Sequence, residues 1–376
     1  MAIDFARVRA WMFDEALPFW GGPGIDRARG GYIEHFDLSG RPAAVDFKRV
    51  RVTCRQIYVF SHAALLGWAR GEDCARHGFA FLKRSWRGGA WPRTVTPDGA
   101  PKDATPDLYD LAFAVFALCW LHRLTKEEEP LALALATLDF IDARMRGPNG
   151  GFLHELPPSG PRLQNPHMHL LEACLVGMEA SGHPRFAALA DDIAALFRAR
   201  FFDMQSRTLA EYFTEDWRRA AGDLGRRIEP GHQFEWAWIL TQLKRLGGAD
   251  LSAEARAMTA FAEQWGVDAA TGLTRNVVRD DGAPIDTASR TWPNTERIKA
   301  WIAAAERGDA ADARAPIAQS IDALFRYHLS GPAPGLWLDV VDAAGAPIAD
   351  KIPTSTLYHV FLAFAEVLRA QPLLSR

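Results

Sequence analysis

Two kinds of apolar stretch alternate along the chain. In the first kind, represented by residues 55–68 and 111–120, apolar side chains occupy nearly every position around a helical turn. Helices of that composition are buried on all sides. In the second kind, represented by 184–201, 251–266 and 311–329, an apolar stripe faces Arg, Asp and Glu on the opposite side. That is the pattern of a helix with one face on a core and one in water. The alternation predicts about twelve helices in buried and amphipathic pairs.

A second pattern recurs between them, roughly every 60 residues, and repeats of this length mark fold architecture. The segments 30–40, 88–99, 150–160, 272–282 and 335–345 each open and close on glycine around a short alternating run. A degenerate copy spans 208–217. Each copy has the signature of a β-hairpin. Six helix pairs joined by six hairpins predict an all-α fold, an (α/α)6 barrel in which an inner ring of helices is wrapped by an outer ring. The barrel would form a single domain over 1–376. A right-handed solenoid of helix pairs is the alternative, but six units with no polar end-cap favour closure.

Polar residues interrupt the inner helices at their starts. Proline opens five of them, where its missing N–H is no loss: Pro106, Pro166, Pro230, Pro293 and Pro353. Polar residues follow at Asp107, Tyr109 and Asp110, at His167, His169 and Glu172, at His232 and Glu235, at Glu296, and at Tyr358 and His359. The sixth inner helix carries Arg49, Arg51 and Arg55. If the helices run alike, these groups converge at one mouth of the barrel, and convergent polar groups in an apolar cavity are the default active-site expectation. Asp107 and Asp110 also suit helix capping, and Glu229 suits a helix start. His62 and His122 lie in apolar runs and read as core histidines.

Each of His169 and His232 has a glutamate three residues on, which places the two side chains on one helical face. Glu172 is therefore expected to orient His169, and Glu235 to orient His232. A helix N-terminus opposes protonation of an imidazole, so His232 is expected to be neutral and able to accept a proton. His167 and His169 point to different faces and cannot chelate jointly, so no metal is expected.

Composition adds exclusions. A net charge of -3 gives no electrostatic case for nucleic acid or an anionic membrane. No run approaches the ~18 apolar residues of a membrane span. No charged head with an apolar run marks a signal peptide at the N-terminus. The four cysteines, Cys54, Cys74, Cys119 and Cys174, lack CxxC spacing and read as buried thiols of a reducing compartment. A cytoplasmic location is expected. Thirteen tryptophans and 22 phenylalanines suit either a large core or a carbohydrate cleft.

At Asn165–Glu172, Pro230–Trp236 and Trp292–Glu296 the sequence resembles the N-acylglucosamine 2-epimerase superfamily, and the likeness extends from Arg55 to His359. Arg290–Arg297 looks most like the mannose isomerase and sulfoquinovose isomerase branch. The resemblance implies the (α/α)6 barrel and a cofactor-independent aldose–ketose isomerase acting through an enediol, with a 2-epimerase as the alternative. It implies that His359 removes the C2 proton and that His232 is the second acid/base. Arg55 would hold sugar oxygens and stabilise the enediolate. His169, Glu172, Glu235, Tyr109 and Glu296 would serve substrate binding, with Trp292 or Trp236 flanking the sugar. The partner implied is a monosaccharide, and a homodimer is compatible with the family. The family places a histidine after its Tyr-Asp pair, whereas Leu111 follows Asp110 here. An (α/α)6 glycoside hydrolase would need two carboxylates across the cleft, for which Asp110 and Glu296 are candidates. Arg226 and Arg227 are candidates for meeting an anionic substituent. A sugar sensor without catalysis is a further alternative.

Overall fold

In the computed structural model, which describes residues 2–309 and 313–375, twelve helices among the described residues alternate between two rings. In chain order they are α1 (5–20), α2 (Val50–Leu65), α3 (Gly71–Lys83), α4 (Leu108–Thr125), α5 (Glu128–Arg144) and α6 (Asn165–Ser181). They continue as α7 (184–201), α8 (Pro230–Arg245), α9 (252–266), α10 (Thr291–Arg307), α11 (314–328) and α12 (Leu357–Arg369). The start expected for the eleventh helix, at 311–312, lies outside the described residues.

Even-numbered helices form the inner ring, each packed on the next, and α12 packs back on α2. Odd-numbered helices sit outside, and α1 covers α12. The chain ends therefore meet, and the structure is the closed barrel rather than the open solenoid.

The strands repeat this closure. The segment leading into each inner helix pairs antiparallel with the hairpin of the next unit: Lys48–Arg49 with Thr94–Val95, Arg162–Leu163 with Tyr212–Phe213, and Arg227–Ile228 with Val277–Arg279. Ser289–Arg290 pairs with Val340–Val341 in the same way, and Asp107 bridges Glu155. The last segment, Ile352–Pro353, pairs with His35–Phe36 of the first hairpin. Most hairpin copies turn on a left-handed glycine, such as Gly282 (φ 87°) or Gly345 (φ 86°). The degenerate copy ends on Trp217 at φ 62°, a conformation unfavourable for a residue with a Cβ. Its ring packs on His167 and Phe201, and its indole N–H donates to Gly150 O at 2.9 Å.

Two expectations need correction. The inner helix α4 is long and apolar enough by length and composition to cross a membrane, contrary to the reading of the sequence; 78% of it is buried inside the barrel, as an inner-ring helix requires. Among the inner helices, proline takes one of the first two positions only in α6 and α8. Pro106 precedes the Asp107 cap of α4, Pro293 is the third residue of α10, and Pro353 precedes a 3-10 turn, Thr354–Thr356, ahead of α12. Asp107 caps α4 as anticipated, accepting from the N–H of Tyr109 at 2.9 Å. The four cysteines are buried free thiols.

Candidate active site

The first turns of the inner helices surround a cavity of about 380 Å³ at one mouth of the barrel. Arg55, Tyr109, His169, His232, Glu235, Trp292 and His359 all line it. These residues come from α2, α4, α6, α8, α10 and α12, so the ring of repeats does bring the polar starts together. Arg49, Glu229, Arg290, Asp339 and Lys351 complete its rim.

Trp292 occupies the middle of one wall. Its ring centroid stands 5.1 Å from His232 and 5.6 Å from His359, inclined by 37° and 38°. The two imidazoles differ in what lies behind them. His232 donates through Nδ1 to Glu211 Oε2 at 2.8 Å, and Glu229 approaches the same nitrogen at 3.9 Å. Burial alone would lower its pKa, but the charges of Glu211 and Glu229 overcome this and raise it to about 9. His232 is thus an imidazolium at neutral pH, contrary to the neutral base expected from its place on the helix. Two close carboxylates outweigh a helix dipole.

His359 is the opposite case. Burial, with Arg55 and Lys299 nearby, holds its pKa well below the ordinary value. Its Nδ1 lies 2.9 Å from Glu296 Oε1; a proton on Nδ1 leaves Nε2 as the unprotonated nitrogen. His169 is also neutral, lowered to about 4 chiefly by burial. Its Nδ1 donates to Glu172 Oε2 at 3.1 Å, the i, i+3 pairing anticipated.

Glu235 does not orient His232. Its ligand oxygen instead lies within 4.8 Å of both the His169–Glu172 pair and the Glu296–His359 pair. Burial, then the neighbouring Glu296, holds its carboxyl well above the usual range, and it stands between the two dyads. Among the described residues these clusters offer three or more His and Glu atoms in metal-ligand proximity, but the ammonium of Lys299 already supplies a cation beside Glu296.

Arg55 is buried, with its guanidinium carbon 4.3 Å from the Phe113 centroid. It donates to Tyr109 Oη at 2.6 Å and to Ser355 O at 3.3 Å, while its Nε has no protein acceptor. A planar cation lining the cavity is suited to an oxygen on which charge develops.

Three residues were misplaced by the reading of the sequence. Glu172 and Glu296 do not reach the cavity; they stand behind His169 and His359, and Glu172 also accepts from Tyr358 Oη. Trp236 faces the outer ring, 4.7 Å from Phe197, and its N–H donates to Gln164 Oε1 at 2.6 Å. Gln164 in turn donates to Glu211 at 2.7 Å, so Trp236 braces the carboxylate behind His232 and does not flank a sugar. Glu211 and Lys299 were missed altogether. Glu211 lies in the one hairpin copy that departs from the repeat, and that departure was its only signal.

The other candidates resolve into supporting roles. His167 is structural, accepting from Phe152 N and donating to Leu163 O. Asp110 is fully buried and bound to Arg51 at 3.1 Å. With Glu296 also outside the cavity, the carboxylate pair considered for hydrolysis is not there. Arg226 is held by Asp280 and Asp281 in the adjoining hairpin, and neither it nor Arg227 lines the cavity. A second cavity of about 330 Å³ occupies the opposite end of the bore, with His62 and Trp238 in its wall. His62 bonds Tyr58 Oη, and the arginines there are paired with Glu179 or Glu366.

The family model for N-acylglucosamine 2-epimerase matches residues 31–363. The chain belongs to the N-acylglucosamine 2-epimerase family. It is thus a member of a family of sugar isomerases and epimerases. It is 36% identical to the mannose-6-phosphate isomerase of Rhizobium meliloti (strain 1021), over 97% of each chain. It is 27% identical to the D-mannose isomerase of Thermobifida fusca, over 78% of this chain and 77% of that one. The cellobiose 2-epimerase of Bacillus thermoamylovorans B4167 shares the fold, with a TM-score of 0.89 at 22% identity, covering 97% of this chain and 98% of that chain.

Proposed function

We propose that this family member interconverts an aldose and a ketose of the mannose/fructose type by moving a proton through an enediol. The observation that carries the proposal is the contrast between His232, backed by the carboxylates of Glu211 and Glu229, and His359, buried near Arg55 and Lys299, both packed on Trp292 at one cavity. A cationic acid and a neutral base facing one hexose-sized cavity are what proton transfer beside a carbonyl needs.

With the open-chain aldose bound, His359 Nε2 takes the proton from C2 while the C1=C2 double bond forms and O1 takes a proton from His232. Arg55 stabilises the negative charge that passes through O1. His232 then accepts the O2 proton as C2=O forms, and His359 returns its proton to C1. The product is the ketose, and both histidines regain their starting states. No group beyond these side chains enters the scheme.

Relatives at 36% and 27% identity are named mannose-6-phosphate isomerase and D-mannose isomerase, which supports isomerisation over epimerisation. Protonation of C2 from the opposite face would give the epimer on the same residues. Incubation with mannose in deuterated water separates the two. Fructose carrying deuterium at C1 is expected; glucose labelled only at C2, without ketose, would overturn the isomerase assignment. Mannose 6-phosphate belongs in the same assay, because Arg49, Arg290 and Lys351 stand at the rim and the Rhizobium relative is named for that substrate.

A further inference from the structure

Beneath His359 the bore holds a buried cluster of ionisable groups. Glu172, Glu235 and Glu296 are at most 2% exposed, and a single lysine, Lys299, is fully buried beside them. Lysine is almost never buried without a partner. Lys299 Nζ lies 2.6 Å from Glu296 Oε2 and 4.3 Å from the centroid of the Trp238 ring. The other oxygen of Glu296 lies 2.9 Å from His359 Nδ1, within hydrogen-bond distance. One carboxylate is therefore shared between an ammonium and the imidazole. Glu235 from α8, Glu172 from α6, and His359 and Glu366 from α12 complete the ionisable groups around the lysine.

A buried carboxyl beside an imidazole can arrange the shared proton in two ways. An ionised Glu296 accepts from Nδ1–H and leaves Nε2 bare toward the cavity. A protonated Glu296 donates to Nδ1 instead, which moves the imidazole proton to Nε2 and leaves no lone pair for the substrate. Burial favours the protonated acid, and the ammonium opposes it.

We propose that Lys299 is a positioning residue for the reaction: its ammonium holds Glu296 as the anion and so sets the His359 tautomer that presents an unprotonated Nε2 to the sugar. The link to turnover rests on His359 being the base of the proposed reaction; the tautomer itself does not.

The test is Lys299→Met, which keeps the length and apolar stem of the side chain without its charge. In 15N NMR of histidine-labelled protein at pH 7, wild type is expected to show His359 protonated at Nδ1, and Lys299→Met to show it protonated at Nε2. On mannose, kcat should fall about 10²-fold with KM nearly unchanged, since one acid–base contribution is lost. Activity should recover as rising pH ionises Glu296. The double variant Glu296→Gln/Lys299→Met leaves no unpaired buried charge, and its amide oxygen still accepts from Nδ1–H. It should show the wild-type tautomer and lose no more than about twofold in kcat relative to Glu296→Gln alone. That comparison also decides the matter if Lys299→Met does not fold. An unchanged His359 tautomer in Lys299→Met, or additive losses in the double variant, would overturn the proposal. A tautomer switch in a protein whose His359→Asn variant still turns over mannose would sink the base assignment and leave only the control of the tautomer by Lys299 standing.

Discussion

Glu211 and His232 lie 21 residues apart in sequence, yet the carboxylate accepts from the imidazole Nδ1 at 2.8 Å. Glu211 comes from the degenerate hairpin and His232 from the first turn of α8. Their contact raises the pKa of a histidine that its own helix would keep neutral.

Replacing Glu211 by Gln should therefore change the pH profile more than the fold. The His232 pKa is about 9 in the folded protein, above its unfolded value near 6.5. The stabilisation from this pair is complete below about pH 6.5 and fades as pH rises through about 9, and its size is on the order of 3 kcal/mol. In Glu211→Gln the alkaline loss of activity should move toward neutrality, and urea unfolding below pH 6.5 should show reduced stability. An unmoved alkaline limb would refute the pairing's role.

His359→Asn should abolish exchange of the mannose C2 proton with deuterated water, lowering kcat by about 10²–10⁴-fold. The side chain is buried against Trp292 and Tyr358, so binding of the sugar, followed by tryptophan fluorescence, should persist. Retained exchange would remove His359 from the chemistry.

The Arg55 guanidinium packs against the rings of both Phe113 and Tyr358. Lysine cannot reproduce a stacked planar fork, so Arg55→Lys should lower kcat about 10²-fold, the scale of losing one stabilising donor. A change confined to KM would show that Arg55 only binds ground-state oxygens.

Trp236 acts at a distance from the sugar. Trp236→Phe keeps the ring against Phe197 but leaves Gln164 Oε1 without its donor, at a cost of about 1–3 kcal/mol. Urea unfolding should register that loss, and kcat should fall several-fold as Glu211 loosens. Stability equal to wild type would mean that Gln164 finds another donor.

Closure of the ring predicts how truncation behaves. Deleting residues 352–376 removes α12 and the strand that pairs with His35–Phe36. Cooperative thermal unfolding, followed by circular dichroism, should be lost. An open solenoid would lose only the stability of one unit and its interface.

Much of the architecture is legible in the sequence because it is local. Apolar coverage around 55–68 and 111–120 marks α2 and α4 as inner helices, and glycine-framed hairpins mark the junctions. The His169–Glu172 pair is legible because i, i+3 neighbours on a helix meet whatever surrounds them. The same logic fails at His232 and Glu235. Spacing allows that contact without requiring it, and Glu235 turns instead toward the dyads of the neighbouring helices. Trp236 misleads for a related reason: the residue after Glu235 is rotated by about 100° around the helix, toward the outer ring.

The sequence by itself determined the number and kind of helices, the six hairpins between them, and the convergence of polar residues at one mouth. Those follow from periodicity and from turn chemistry, which act over a few residues. Only the tertiary structure decided which carboxylate faces which imidazole, and hence that the pKa of His232 is raised while that of His359 is lowered. Protonation in a buried site depends on burial and on charges brought within a few ångströms by distant segments. Glu211 on its hairpin and Lys299 in the bore become meaningful only once the ring is closed.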